Sequence, residues 1–352
     1  MSLQRILTDR IAATGPITLA DYMSEALLHP IHGYYTTRDP LGVAGDFTTA
    51  PEISQMFGEL IGLSLAQSWL DQGAPAAITL AELGPGRGTL MADILRATAR
   101  VPGFHAALQI VLIEASPTLR TLQAATLQGH APRWLDSVHD LPDQPLYLVA
   151  NEFFDALPVH QYQRDGDRWR ERMVGVEGDR LRMGLGPATP QPALAHRLED
   201  TQQHDIVEVC PSASPVIDTI SARIRDHGGA ALIIDYGDWR SLGDTLQALK
   251  AHQLADPLTD PGTADLTTHV DFEALTQAAN CPFTRVTPQG VFLERLGITQ
   301  RAQALAETLH DAPLEAHVAA HRRLTHPAEM GNLFKVLGLY PQGATPPPGL
   351  EP

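Results

Sequence analysis

The chain is poor in the residues that would mark several classes of protein. Two cysteines in 352 residues, Cys210 and Cys281, exclude a disulfide framework and read as reduced, structural thiols. Basic residues are outnumbered, 25 lysines and arginines against 41 acids. The resulting net charge of −16 argues against nucleic acid as the main partner, because phosphate binding needs a basic face. A cationic partner surface is the better electrostatic match. Long uncharged apolar runs are also missing: the longest helical candidate, Ile53 to Leu70, is broken by Glu59, Gln67 and Ser68, so no membrane insertion is expected. The first residues, MSLQRILTDRIAATG, lack the apolar block of a secretory signal and read as an ordinary helix. No third ligand accompanies His29 and His32, so no metal site is expected.

What the chain does have is a corner built to hold a ligand. Residues Ala77 to Leu83 read as a buried strand ending on an acid, Glu82, and are followed by Gly84, Pro85, Gly86, Arg87, Gly88 and Thr89. The apolar spacing of Leu90, Met91, Ile94 and Leu95 then predicts a helix. Glycines at a strand-to-helix turn let a ligand approach the backbone and the unpaired N–H groups of the helix start. A dinucleotide turn wants G-x-G-x-x-G, whereas the third glycine here is Gly88, which counts against a nicotinamide or flavin nucleotide. The form acid-x-Gly-x-Gly-x-Gly is instead similar to the first motif of class I S-adenosylmethionine methyltransferases. A second strand, Leu108 to Ala115, ends in Glu114, one strand-helix-strand unit beyond the glycines, where nucleoside-binding folds place a ribose acid.

Strand and helix patterns alternate from about Ala76 to Gln163 and resume after a hairpin centred on Glu177, Gly178 and Asp179, with a further strand expected around Thr284 to Val286. The fold class predicted is α/β, a Rossmann-like doubly wound sheet. Residues 1–75 form N-terminal helices and a lid loop. The core spans 76–340 with an inserted hairpin region at about 164–205, and the proline-rich 341–352 is expected to be disordered. Thr49 to Glu52 reads as a capping box opening the Ile53 helix. Ligands in such sheets bind beyond the carboxyl ends of the strands. There the strand Leu146 to Ala150 leads into Asn151, Glu152, Phe153, Phe154 and Asp155, whose carboxylates suit a cationic nucleophile such as a guanidinium. His269, in a polar turn, is a further candidate for proton removal.

Several segments together resemble the MidA-like methyltransferases, the mitochondrial complex I assembly-factor type and their bacterial relatives. They are Gly33 to Tyr35, Gly45 to Glu52, Glu82 to Thr89, Asn151 to Pro158, Ile234 to Gly237, Asp265 to Phe272 and Met330 to Lys335. Ala50 and Ala115 are small departures from the family pattern and remove no carboxylate. The resemblance implies a class I methyltransferase fold with S-adenosylmethionine as cofactor. It also implies symmetric dimethylation of an arginine on a subunit of respiratory NADH:quinone oxidoreductase. Candidate cofactor contacts are Glu82, Gly84, Pro85, Gly86, Gly88, Glu114 and Asn151. Candidate catalytic groups are Glu152, Asp155 and His269, and candidate substrate contacts are Tyr35, Asp46, Phe47 and Tyr236. A methyltransferase for another protein or a small molecule, a non-catalytic cofactor-binding assembly factor, and a homodimer all stay open at this point. Because the chain begins almost directly at the family region, a bacterial cytoplasmic protein is expected, with the mitochondrial matrix as the alternative if a presequence is missing.

Overall fold

The computed structural model describes residues 1–37 and 49–352. They belong to two compact units that alternate along the chain. Met1–Phe47, Asp155–Ala213 and Arg240–Asp271 make the first, and Thr48–Phe154, Ser214–Trp239 and Phe272–Pro352 the second. The expected boundary at residue 75 is therefore corrected. The helix Gln55–Asp71 buries Met56, Phe57, Ile61, Leu65 and Trp69 in the same core as the strand before the glycine turn, so it belongs to the second unit.

The second unit is built on a twisted sheet. Its strands are β1 (Ile78–Leu83), β2 (Leu108–Ile113), β3 (Arg133–Leu135), β4 (Leu146–Asn151), β5 (Gly229–Asp238), β6 (Thr287–Pro288) and β7 (Phe334–Leu339). Their order is β6-β7-β5-β4-β1-β2-β3. Strands β1 to β5 run parallel, and β7 lies antiparallel between β5 and β6. Every residue of β1 and β4 is buried, as the continuous apolar pattern of a sheet covered on both faces requires. Register decides where the site falls: Leu83 of β1 pairs with Ile113 of β2 and with Ala150 of β4, so these strands end level. Strand order reverses between β1 and β4, which is the switch point at which open parallel sheets bind ligands.

The first unit packs the helices Leu3–Thr14 and Leu19–Leu28 on an antiparallel sheet, with Leu7, Leu19, Tyr22 and Met23 fully buried in its core. The expected hairpin is present and longer than its pattern indicated, Arg168–Glu177 against Arg180–Thr189, turning at Gly178 and Asp179.

Three local expectations are corrected. Thr49 makes no side-chain cap; the short helix Ala50–Ile53 stops at the extended residue Ser54, which caps the next helix, and the Glu52 carboxylate instead accepts a 2.5 Å hydrogen bond from Thr89 Oγ1. The strand expected at Thr284 to Val286 forms at Thr287–Pro288. The tail expected to be disordered is docked: Leu350 is buried in the core of the second unit, Ser64 Oγ donates to the Pro348 carbonyl at 3.0 Å, and Arg285 N–H donates to the Glu351 carbonyl at 2.9 Å. One apolar anchor and these hydrogen bonds outweigh its polyproline composition.

Tyr147, on β4, is fully buried and its hydroxyl has no hydrogen-bond partner among the described residues. A buried unsatisfied hydroxyl costs stability, so Tyr147→Phe is expected to stabilise the protein by about 1 kcal/mol. A urea midpoint lower than that of the parent would contradict this.

Candidate active site

Gly84, Gly86 and Gly88 have φ values of +57°, +54° and +81°. All three lie in the left-handed region, so their alternation is a backbone requirement rather than a packing convenience. The turn is closed by Gly88 N–H donating to the carbonyl of the buried Pro85 at 2.7 Å, and Gly84 N–H ties it to the end of β2 through the Ile113 carbonyl at 3.0 Å. Gly88 then caps the helix Thr89–Thr98. The outcome is a cradle with exposed backbone at the carboxyl end of β1.

Glu82 stands at the base of that cradle, 3% exposed, and its Oε2 has no partner among the described residues. Burial pushes its carboxyl well above the usual range, and the nearby Glu114 adds to this, although a hydrogen bond from the Met91 backbone acts the other way. A buried carboxylate oxygen without a donor is what an ammonium or hydroxyl of a bound ligand satisfies.

Glu114 follows β2 and is already held: Oε1 accepts from Ser116 N–H at 2.7 Å and Oε2 from Gln123 Nε2 at 3.1 Å. Partial burial raises its pKa, against these two hydrogen bonds and the charge of Arg120. Ser116 also caps the helix Pro117–Thr126, as its Ser-Pro start predicts.

At the end of β4, Asn151 Nδ2 donates to Glu152 Oε1 at 3.1 Å, and the same oxygen accepts from Ala50 N–H at 3.1 Å. Asn151 Oδ1 is buried without a partner among the described residues, a second acceptor at the rim. Glu152 has φ +52°, a strained conformation for a residue with a side chain. The turn is held by Asp235, the β5 residue just past the last β5–β4 pair, Ile234 with Asn151. Its Oδ2 accepts from Phe153 N–H and Phe154 N–H at 3.2 and 2.9 Å, and its Oδ1 from Tyr236 N–H at 3.0 Å.

The second unit thus gathers Glu82, the glycine turn, Glu114, Asn151, Glu152 and Tyr236, the last packed edge-on against Phe334. Asp155, His269 and Tyr35 belong to the first unit. There the Tyr35 hydroxyl donates to Asp265 Oδ1 at 2.7 Å, and burial and the charges of Asp265 and Asp155 push that phenol well up. Thr268 N–H donates to the Asp155 carbonyl at 2.9 Å, and His269 N–H to Thr245 Oγ1 at 2.8 Å. Asp46 and Phe47, with most of the expected lid, lie outside the described residues. Sequence reasoning missed Gln123 and Asp235 as parts of the site. A fully buried glutamine in a short helix, and an acid closing an apolar strand, were the available signals.

A parallel sheet reversing at β1 and β4, an antiparallel β7 set between β5 and β6, and an acid-and-glycine corner at the switch define the class of S-adenosylmethionine-dependent methyltransferases. The comparisons agree. Residues 60–288 match the profile of a family described as S-adenosyl-L-methionine-dependent methyltransferase. The chain is 39% identical to the mitochondrial protein arginine methyltransferase NDUFAF7 of Xenopus laevis, over 94% of this chain and 83% of that one. To the Homo sapiens protein of the same name it is 38% identical, over 96% and 83%. A Burkholderia thailandensis protein crystallised with S-adenosyl-homocysteine superposes with a TM-score of 0.82 at 29% identity, covering 96% of this chain and 91% of that one. The chain belongs to this methyltransferase family, and its cofactor is S-adenosylmethionine.

The corner fits that cofactor, since the orphaned oxygens of Glu82 and Asn151 are acceptors for donors on a cationic nucleoside ligand. Glu82→Gln is expected to lower cofactor affinity at least about ten-fold while stabilising the free protein. The sign follows from a carboxyl pKa raised by folding: its stability contribution is lost as pH climbs from about 4 through the folded value, so the variant's melting-temperature advantage should widen from pH 4 to 7. An advantage that stays flat with pH would remove the buried-charge account. Separately, Gly86→Val should abolish cofactor binding in calorimetry, because a β-branched residue is barred from φ +54°.

Proposed function

We propose that the protein transfers methyl groups to an arginine side chain of a subunit of respiratory NADH:quinone oxidoreductase, producing symmetric dimethylarginine and supporting assembly of that complex. The reading puts the protein in the compartment where the complex is built, the bacterial cytoplasm or the mitochondrial matrix. Its support is twofold: relatives at 38–39% identity across nearly the whole chain carry the name protein arginine methyltransferase, and a carboxylate is fixed at the end of β4.

Glu152 is the observation that carries the proposal. Its Oε1 is pinned by Ala50 N–H and the Asn151 amide, which fixes the plane of the carboxylate. The cofactor supplies an electrophilic methyl on a sulfonium, which leaves as a neutral thioether. A guanidinium is charged at every physiological pH, so it becomes a nucleophile only when a carboxylate orients it, localises its charge on the far nitrogens and receives the proton released as the N–C bond forms. Glu152 does this by position more than by basicity, and the gain comes from holding the acceptor nitrogen in line with the methyl carbon.

Glu152→Gln is expected to lower kcat about a hundred-fold while S-adenosylmethionine affinity stays within about two-fold. Turnover equal to the parent would strip Glu152 of the role. The same assay on Asp155→Asn and His269→Gln checks their sequence-based assignment, with a loss of turnover expected in each. For the substrate, mass spectrometry of the respiratory complex from cells with and without this protein should find one arginine that loses two methyl groups in the deletion. An unchanged methylation map, or label from the cofactor appearing only in small molecules, would overturn the protein-arginine reading.

A further inference from the structure

Gln123 is fully buried, although it sits in a short helix beside the cofactor corner. All the hydrogen-bonding capacity of its side chain nitrogen is spent within the site. Nε2 donates to the Gly86 carbonyl at 2.7 Å and to Glu114 Oε2 at 3.1 Å. Its Oε1 accepts from Trp134 Nε1, on β3, at 2.8 Å. An indole nitrogen can only donate, so this contact fixes which end of the amide is oxygen and aims both N–H groups at the glycine turn and the acid. The backbone of Gln123 also lies under the turn, with its Cα 3.5 Å from where a Cβ on Gly88 would be.

We propose that Trp134 and Gln123 form a clip that positions Glu114 relative to the glycine turn and thereby sets affinity for the nucleoside half of the cofactor. The inference rests on the assignment of Glu82, the glycines and Glu114 as the cofactor site. Gln123 is a positioning residue: it acts through Glu114 and Gly86. Glu114 has few ways to be steered otherwise. Its other oxygen is held by the backbone N–H of Ser116, and Arg120 spends its Nε on the Glu114 carbonyl and pairs with Asp136 at 2.5 Å. Without the amide, one carboxylate oxygen and the Gly86 carbonyl lose the donor they share, and the two arms of the site are no longer tied to each other.

The test is calorimetric titration with S-adenosylhomocysteine, joined to steady-state kinetics. Gln123→Met keeps length and apolar bulk and is expected to raise Kd about ten-fold or more, to raise KM for S-adenosylmethionine in parallel, and to leave kcat at saturation within about two-fold. Trp134→Phe, on an edge strand, should fold whatever Gln123→Met does, and is expected to weaken binding by about three-fold through loss of amide orientation alone. The double variant Gln123→Met with Glu114→Gln should bind no more than about two-fold more weakly than Glu114→Gln, because Gln123 bears on affinity mainly through the carboxylate that Glu114→Gln has already removed. Additive losses in the double variant would overturn the clip, as would parent-like affinity in both Gln123→Met and Trp134→Phe while Glu114→Gln binds weakly. Parent-like affinity in Glu114→Gln is a different failure, that of the cofactor-site assignment itself.

Discussion

A carboxylate removed from water must be given donors, and the second unit sets an acid at or near the carboxyl ends of four adjacent strands. What distinguishes them is who supplies the donors. Asp235 is satisfied by three backbone N–H groups and serves the architecture. Glu114 and Glu152 each accept from a backbone N–H and a neighbouring amide side chain, which fixes their planes. Glu82 alone of the four is left with a buried oxygen that no described protein group serves. A satisfied acid holds a turn; an unsatisfied one in a glycine cradle is completed by a ligand. Function in this unit is divided among carboxylates by their hydrogen-bond partners, not by residue type.

The level ending of β1, β2 and β4 is what makes such a row of acids possible. A slip of one residue in any register would turn Glu82 to the opposite face of the sheet. The long apolar pairings guard against this, since every residue of β1 and β4 is buried. The positive φ of Glu152 costs on the order of 1–3 kcal/mol and persists because Asp235 holds the two following amides. Strain sits at the carboxyl end of the sheet, and its support comes from the neighbouring strand.

Much of this was legible before any coordinates. The glycine turn, Glu82 and Glu114 are spaced by one strand-helix-strand unit, and local patterns of that kind survive folding unchanged. The features that were not legible depend on partners distant in sequence. Glu52 matched a capping box three residues after Thr49, yet its carboxylate serves Thr89, 37 positions away. The proline-rich tail matched disorder, yet Leu350 finds a place in the core. Gln123 is singled out by no local pattern, and its role depends on Trp134 and Gly86, which only the fold brings to it. The two units are not legible in local patterns because each is assembled from segments that the other interrupts.

The placement of β7 bears on how the molecule is made. Its six residues pair antiparallel with β5 from Ala231 to Tyr236, and they come much later in the chain. During synthesis β5 emerges about a hundred residues earlier and waits as an open apolar edge, the kind of surface that recruits other nascent strands. The pairing that completes this edge of β5 therefore waits on the synthesis of everything between the two strands, and a chaperone that shields the edge in the interval is expected to raise yield.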